Sequence, residues 1–231
     1  MNSTARRKGL FITGTDTDVG KTYVGTQIVS LLHDNDIKVV PRKPIESGCK
    51  RIGSELEPAD ARHYFEAIKQ KFPLTEICPF RFEPAISPQR AARLINQPVF
   101  LDELVKSCTK NVADDNFLIV EGAGGFYSPL CEDGKNSNLA KQLNLPVLLI
   151  ANDQLGCINH ILLTAEAILN QGLVLIAVML NQKEIYSDIE MNNLEDLETL
   201  ISVPIYTLSN KEMLNDDAGK SQSILKTVLG H

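Results

Sequence analysis

Two lysines, two acids and a hydroxyl, scattered along the chain, carry the clearest chemical potential. Lys21 and Thr22 close the string Gly14-Thr-Asp-Thr-Asp-Val-Gly-Lys-Thr22. An apolar run, Gly9–Thr13, precedes that string, and a helical pattern over Lys21–His33 follows it. A strand, a glycine-containing turn and a helix start make the setting of a phosphate-binding loop. Backbone N–H groups over Asp18, Val19, Gly20, Lys21, Thr22 and Tyr23 would face phosphate oxygens, aided by the positive end of the helix dipole. Lys21 would reach the β- and γ-phosphates, and Thr22 would ligate Mg2+. The plainer alternative is an ordinary turn with a solvated Lys21. The first glycine of the usual spacing would stand at position 15, where the chain has Thr15 and places Gly14 one residue earlier. The loop also holds Asp16 and Asp18. Acids beside a triphosphate repel it unless they face a cation, a substrate ammonium or solvent. This is therefore a variant loop with something further to bind.

Lys43 follows the strand candidate Lys38–Pro41, within Arg42-Lys-Pro-Ile-Glu-Ser-Gly48. Glu121 follows the apolar run Phe117–Val120 and precedes Gly122-Ala123-Gly124-Gly125. A carboxylate at the end of a buried strand, near a phosphate loop, can hold magnesium directly or through water. The glycines behind it allow backbone to approach a ligand. A turn or capping acid is the alternative for Glu121. Asp60 opens the helical pattern Pro58–Lys71, where a helix dipole alone would favour an acid. Leu155-Gly-Cys-Ile-Asn-His160 leads into the pattern Asn159–Gln171, and N–H groups at a helix start suit a carboxylate. Asn159 can add one hydrogen bond there or simply cap the helix. Cys157 reads as a small packed side chain rather than a reactive thiol. Asn181 ends the run Leu173–Leu180, and an amide can pair with both the amino group and a ring nitrogen of adenine. His33, His63, His160 and His231 show no metal-ligand spacing, and no nucleophile–base pairing stands out.

These residues need strands to carry them. Phe117–Val120, Pro146–Ala151 and Leu173–Leu180 are apolar on both faces, as buried parallel strands are. Helical patterns alternate with them, including Leu101–Val112 and Ser137–Leu143. The alternation predicts a single α/β domain over residues 1–231: a doubly wound, mainly parallel sheet with flanking helices, P-loop NTPase-like, with residues 1–8 as a flexible tail. Gly48–Pro58 and Asn210–Ser221 read as polar loops. In such sheets ligands bind beyond the carboxyl ends of the strands, where every residue singled out above falls.

The chain of 231 residues is 43% hydrophobic and 23% charged, with a formal net charge of −6. That balance disfavours general nucleic-acid binding, which needs a basic face. Five cysteines, an odd number with no C-x-x-C pair, argue against a disulfide framework or a zinc site and for a reducing cytoplasm. No apolar stretch reaches membrane-spanning length, and the one after Arg6-Arg7-Lys8 is too short for a signal peptide.

The strings GTDTDVGKT, KPIESG, VEGAGG and LGCINH, in that order, resemble those of the dethiobiotin synthetase family. The likeness runs from residue 14 to residue 160, with a weaker match around Asn181. Parts of the loop are shared with partitioning ATPases and cobyrinate amide synthases. The combination is not. The resemblance implies a ligase that closes a cyclic urea from 7,8-diaminopelargonate, CO2 and ATP through a carbamate and a carbamic–phosphoric anhydride. It implies that Lys21 and Lys43 flank the reacting anions, with Thr17 beside them. Thr17 and Ser47 would touch the substrate, and Thr22, Asp60 and Glu121 would hold Mg2+. Gly122, Ala123 and Gly124 would line the nucleotide, and Asn181 and Gln182 would sit by its base. Cys157 and Asn159 would hold the substrate carboxylate across the interface of a homodimer. Phe126-Tyr127 and the stretch Tyr206–Asn210 depart from the family's usual residues. The alternatives are a partitioning ATPase, which would carry a second lysine where this chain has Asp16, and a cobyrinate-type amide ligase, which would need a glutaminase domain.

Overall fold

A computed structural model describes residues 7–182, 191–209 and 212–230. In chain order the principal elements are β1 (Gly9–Gly14), α1 (Lys21–Asp34), β2 (Val39–Arg42), α2 (Ala59–Ala67), α3 (Leu101–Thr109), β3 (Phe117–Gly125) and α4 (Asn136–Leu143). They continue with β4 (Val147–Asn152), α5 (Cys157–Asn170), β5 (Leu175–Gln182), α6 (Asn193–Leu200), β6 (Ile205–Ser209) and α7 (Ala218–Leu229). The six strands form one sheet in the order β6-β5-β4-β1-β3-β2, and every neighbouring pair is parallel. β1 is thus central, with β3 on one side and β4 on the other.

Side chains alternate across each strand, so the apolar runs feed two cores. Leu10 and Ile12 of β1 join Ile119 and Ile150 beneath α1, α2 and α7. Phe11 turns the other way, with Leu118, Val120 and Leu149, onto α3, α4 and α5. The register then places the chemistry. Ile12 lies opposite Glu121, two residues before the loop begins at the end of β1. Arg42, the last residue of β2, lies opposite Val120, so Lys43 leaves the sheet next to Glu121 of β3.

The sequence reading is borne out for the parallel α/β sheet and fails at several edges. Gly48–Pro58, expected as a loop, contains an antiparallel hairpin, Lys50–Ile52 with Glu55–Glu57. Its alternation is too short and polar to register as strand. Asn210–Ser221, also expected as a loop, holds a 3-10 turn at Leu214–Asp216 and the start of α7, capped by the Asp217 carboxylate on Gly219 and Lys220 N–H. Positions 210 and 211 lie outside the described residues. The helix expected over Pro58–Lys71 stops at Ala67, because Lys69 and Gln70 take left-handed backbone angles. Of the expected tail, residues 1–6 lie outside the described residues. Lys8 is held to the sheet, its carbonyl accepting from Leu118 N at 3.0 Å. Among the described residues no helix is long and apolar enough to cross a membrane.

Candidate active site

The loop after β1 is shaped by two left-handed residues, Asp18 at φ 56° and Gly20 at φ 101°. Gly20 is the N-cap of α1, so the bend delivers the helix N-terminus to the mouth of the sheet. Even without the φ, no larger residue fits: a Cβ on Gly20 would lie 2.0 Å from Nδ2 of Asn181. Asn181 Nδ2 donates to Val19 O at 3.0 Å and so holds the loop from behind. Its Oδ1 is buried and has no hydrogen-bond partner among the described residues.

In front of the loop, three segments meet on one ammonium group. Lys43 Nζ is ion-paired with Glu121 and, at 2.8 Å, with Asp60, and it donates to Gly122 O at 3.2 Å. The Lys43 and Glu121 side chains are 3% and 0% exposed. Burial opposes the Lys43 charge, but Glu121, Asp60 and Glu46 outweigh it and hold the pKa above the ordinary lysine value. Lys43 in turn holds the Asp60 carboxyl below its usual range, against partial burial. Thr22 Oγ1 donates to Glu121 Oε1 at 2.9 Å, and Tyr64 OH donates to Glu121 Oε2 at 2.6 Å. Burial first, and the Glu121 charge second, push the Tyr64 hydroxyl well above its normal pKa, so it stays a donor. Lys21 is also buried, its Nζ donating to Asp16 O at 2.7 Å. Burial, reinforced by the positive charge of Lys43, lowers its pKa to about 8. The site therefore crowds two buried cations against two acids and a hydroxyl. An arriving polyanion would relieve the repulsion between the lysines.

A cleft of 480 Å³, ample for a small ligand, is lined by Thr17, Asp18, Gly20, Lys21, Thr22, Tyr23, Lys43, Ser47, Asp60, Glu121, Ala123 and Gly124 among the residues expected from sequence. The remaining ones stand elsewhere. Val19 packs into the core beneath α1. Gly122 is buried behind Lys43, and Gln182 turns its Nε2 to Asp153 Oδ2 at 3.0 Å. Cys157 is 2% exposed beside a small neighbouring pocket that includes Asp16 and Thr17, and its thiol pKa is raised by burial. Asn159 is exposed on α5, in a groove with Leu155, Ile158 and Leu162. It does not cap that helix, whose N-cap is Gly156. Ser47 lines the cleft while its hydroxyl donates to Ile86 O at 2.6 Å.

Three residues of the site are not singled out by the sequence. Glu46 accepts from Asp60 N at 3.0 Å and Ala61 N at 3.1 Å, anchoring the start of α2 and hence Asp60. Burial, opposed by Lys43, raises its pKa to about 7. Asn136, 0% exposed, accepts from Ala123 N at 2.9 Å and donates to Ala123 O at 2.7 Å and Gly125 O at 2.9 Å, fixing the glycine turn behind Glu121. Tyr64 reads as core from its helical spacing, which it also is. Among the described residues no cluster of three His, Cys, Asp or Glu could hold a metal. Two carboxylates and a hydroxyl instead offer the few hard oxygen donors that suit Mg2+ sharing its shell with phosphates and water.

The sequence pattern of a family described as an AAA domain matches residues 8–209. A protein of Cellvibrio japonicus named ATP-dependent dethiobiotin synthetase BioD is 34% identical over 96% of this chain and 98% of its own. Those of the same name from Vesicomyosocius okutanii and Clostridium kluyveri are 36% and 35% identical, over 93% and 91% of this chain and 93% and 89% of theirs. Among solved structures, the septum site-determining protein MinD of Pyrococcus horikoshii, complexed with Mg-ADP, superposes with a TM-score of 0.56 at 15% identity. MinD of Aquifex aeolicus does so with 0.55 at 14%. Each pair covers 96% of this chain and 94% of the other. At such identity the likeness concerns the fold, which is that of the P-loop NTPases.

Proposed function

The chain belongs to the ATP-dependent dethiobiotin synthetase family, and we propose that it closes the cyclic urea of dethiobiotin from 7,8-diaminopelargonate, CO2 and ATP. It is an ATP-dependent ligase of biotin synthesis. One substrate amine captures CO2 as a carbamate, releasing a proton. A carbamate oxygen attacks the γ-phosphorus and ADP leaves, which yields a carbamic–phosphoric anhydride. The second amine attacks the carbamoyl carbon, closes the ring and expels phosphate.

The observation that carries this reading is Lys43 beside Lys21 in one cleft, each from a different strand end. Carbamate and γ-phosphate are both anionic, so bringing them together is repulsive. Two fixed ammonium groups offset that charge where it develops, the effect that usually dominates such catalysis. The loop N–H groups and the helix start cradle the phosphates. Thr17 and Ser47 contact the diamine end of the substrate. Thr22, Asp60 and Glu121 fit Mg2+, which would neutralise charge on the phosphoryl oxygens when bound. The lone Oδ1 of Asn181 supports adenine as the base, since it can accept from the adenine amino group. Gln182 is assigned to the same end of the nucleotide. No protein nucleophile is required, in keeping with five thiols that are all buried.

The substrate tail needs a second site, because the cleft serves the amine end. We assign its carboxylate to the N-terminus of α5, around Cys157 and Asn159, reached across a homodimer. The exposed Leu155, Leu163 and Leu169 on or beside α5 support an apolar partner face there. A cytoplasmic enzyme acting as a single α/β domain, without nucleic acid or membrane partners, completes the reading. The test is phosphate release with and without 7,8-diaminopelargonate and bicarbonate. Release should depend on both, with dethiobiotin formed in equal amount. Release indifferent to the diamine would overturn the assignment.

A further inference from the structure

We propose that Tyr64 is a positioning residue for the cation site: its hydroxyl fixes the Glu121 carboxylate so that Oε1 faces Thr22 and the cleft. The inference rests on the reading of Glu121 as a magnesium-holding group. Tyr64 sits one helical turn after Asp60 on α2, so the two side chains share a face of that helix. Asp60 reaches Lys43 from that face, and Tyr64 reaches Glu121.

Glu121 is fully buried and its two oxygens are used differently. Oε1 takes Thr22 and Lys43. Among the described residues Oε2 takes Tyr64 alone, at 2.6 Å. Without that donor Oε2 would stay buried with no partner among the described residues, and the carboxylate, held then from the Oε1 side only, could tilt about its last torsion, which has no sharp preference of its own. With it, one oxygen is committed and the other is held for the cleft.

A second observation concerns the space the hydroxyl fills. Gly25 lies within α1, where glycine is less stabilising than alanine. A Cβ there would stand 1.9 Å from the Tyr64 oxygen and 3.0 Å from its Cζ. The helix thus gives up a side chain at the place where the hydroxyl passes. A phenylalanine at position 64 would supply the same ring to the core cluster that also holds Val24, Ile28 and Ala61. The hydroxyl and the missing methyl have a joint purpose in the bond to Glu121. Groups that orient metal-holding side chains commonly matter by ten- to a hundredfold in metal affinity.

The experiment is a titration of Mn2+ into the full-length protein with ADP present, followed by the electron paramagnetic resonance of free Mn2+. Tyr64→Phe should weaken Mn2+ binding by about tenfold while leaving ADP affinity measured without metal unchanged. The Mg2+ concentration for half-maximal phosphate release should rise by the same factor, and saturating Mg2+ should recover most of the rate. In a Glu121→Gln background Tyr64→Phe should add nothing, which a general packing defect would not reproduce. Gly25→Ala, which displaces the hydroxyl without removing it, should shift Mn2+ binding in the same direction and gives an independent route if Tyr64→Phe folds poorly. Mn2+ affinity within twofold of wild type in either folded variant, or an equal loss with and without Glu121, would overturn the proposal. A wild-type protein that ignores diaminopelargonate would instead refute the functional reading, and the Mn2+ titration would still decide the role of Tyr64.

Discussion

At the scale of single residues, the two lysines differ in what surrounds them. Among the described residues Lys21 hydrogen-bonds within its own loop, to Asp16 O, and it stands at the helix start where phosphates would lie. Its removal should cost both nucleotide affinity and rate. Losing one such electrostatic donor typically costs about 3–4 kcal/mol in the transition state, so Lys21→Ala should lower kcat/KM by roughly several hundredfold. Steady-state kinetics with ATP varied would show it, and activity within tenfold of wild type would end the phosphate-loop assignment. Lys43 is bound on three sides by Glu121, Asp60 and Gly122 O. It comes from a different strand end than the phosphate loop and is held by the acids assigned to the metal. Lys43→Ala should therefore lower kcat by about a hundredfold or more while the Kd for ATP changes little, the pattern of an interaction made mainly in the transition state. Loss of ATP affinity with normal saturating turnover would show its role to be binding instead. Because the change also leaves two acids facing each other without their cation, thermal melting should accompany the kinetics.

At the scale of elements, the glycine turn that ends β3 and the N-terminus of α4 form one unit. Asn136, the first residue of α4, satisfies backbone groups on both sides of Gly124 from a fully buried position. An alanine there leaves several buried polar groups unpaired at once. Asn136→Ala should destabilise the protein by about 3 kcal/mol, which for a chain of this length corresponds to a fall in Tm of roughly 10 °C. Scanning calorimetry would measure it, and a shift under about 2 °C would mean that the turn holds itself. The same element logic explains why Asp60 could be placed near the site from sequence but not explained. It is a first-turn helix acid and a partner of Lys43 at once, because Glu46 clamps the start of α2 against the strand-end segment that carries Lys43.

At the scale of the whole molecule, the separation of Asn159 from the phosphate cleft is the main consequence. If the α5 N-terminus serves the neighbouring subunit, Asn159→Ala should raise KM for diaminopelargonate by roughly tenfold, the worth of one hydrogen bond to a charged group, and leave ATP binding alone. Mixing Lys43→Ala chains with chains severely impaired at Asn159 should restore activity, since one site of each mixed dimer would then hold both intact groups. A monomer at assay concentration, or no recovery despite demonstrated subunit exchange, would rule a shared site out. Much of this protein was legible in its sequence. The phosphate loop, the buried strands and the main helices depend on neighbouring residues only, through apolar periodicity and the backbone freedom of Gly20. The family strings likewise picked out Lys43 and Glu121, and the resemblance pointed to Asp60 beyond them. Short or mixed elements escaped: the hairpin at Lys50–Glu57, and the edge strand β6, which is half-buried along most of its length. What only the tertiary structure decided is who touches whom. Parallel register brings Lys43 level with Glu121 from segments far apart in the chain. Helix packing sends Tyr64 past Gly25 to a carboxylate, and a buried Asn136 to a turn it does not adjoin in sequence. Such contacts leave no local pattern, because the residue type records only that a polar group is present, whereas its partner is set by how the sheet and helices close around it.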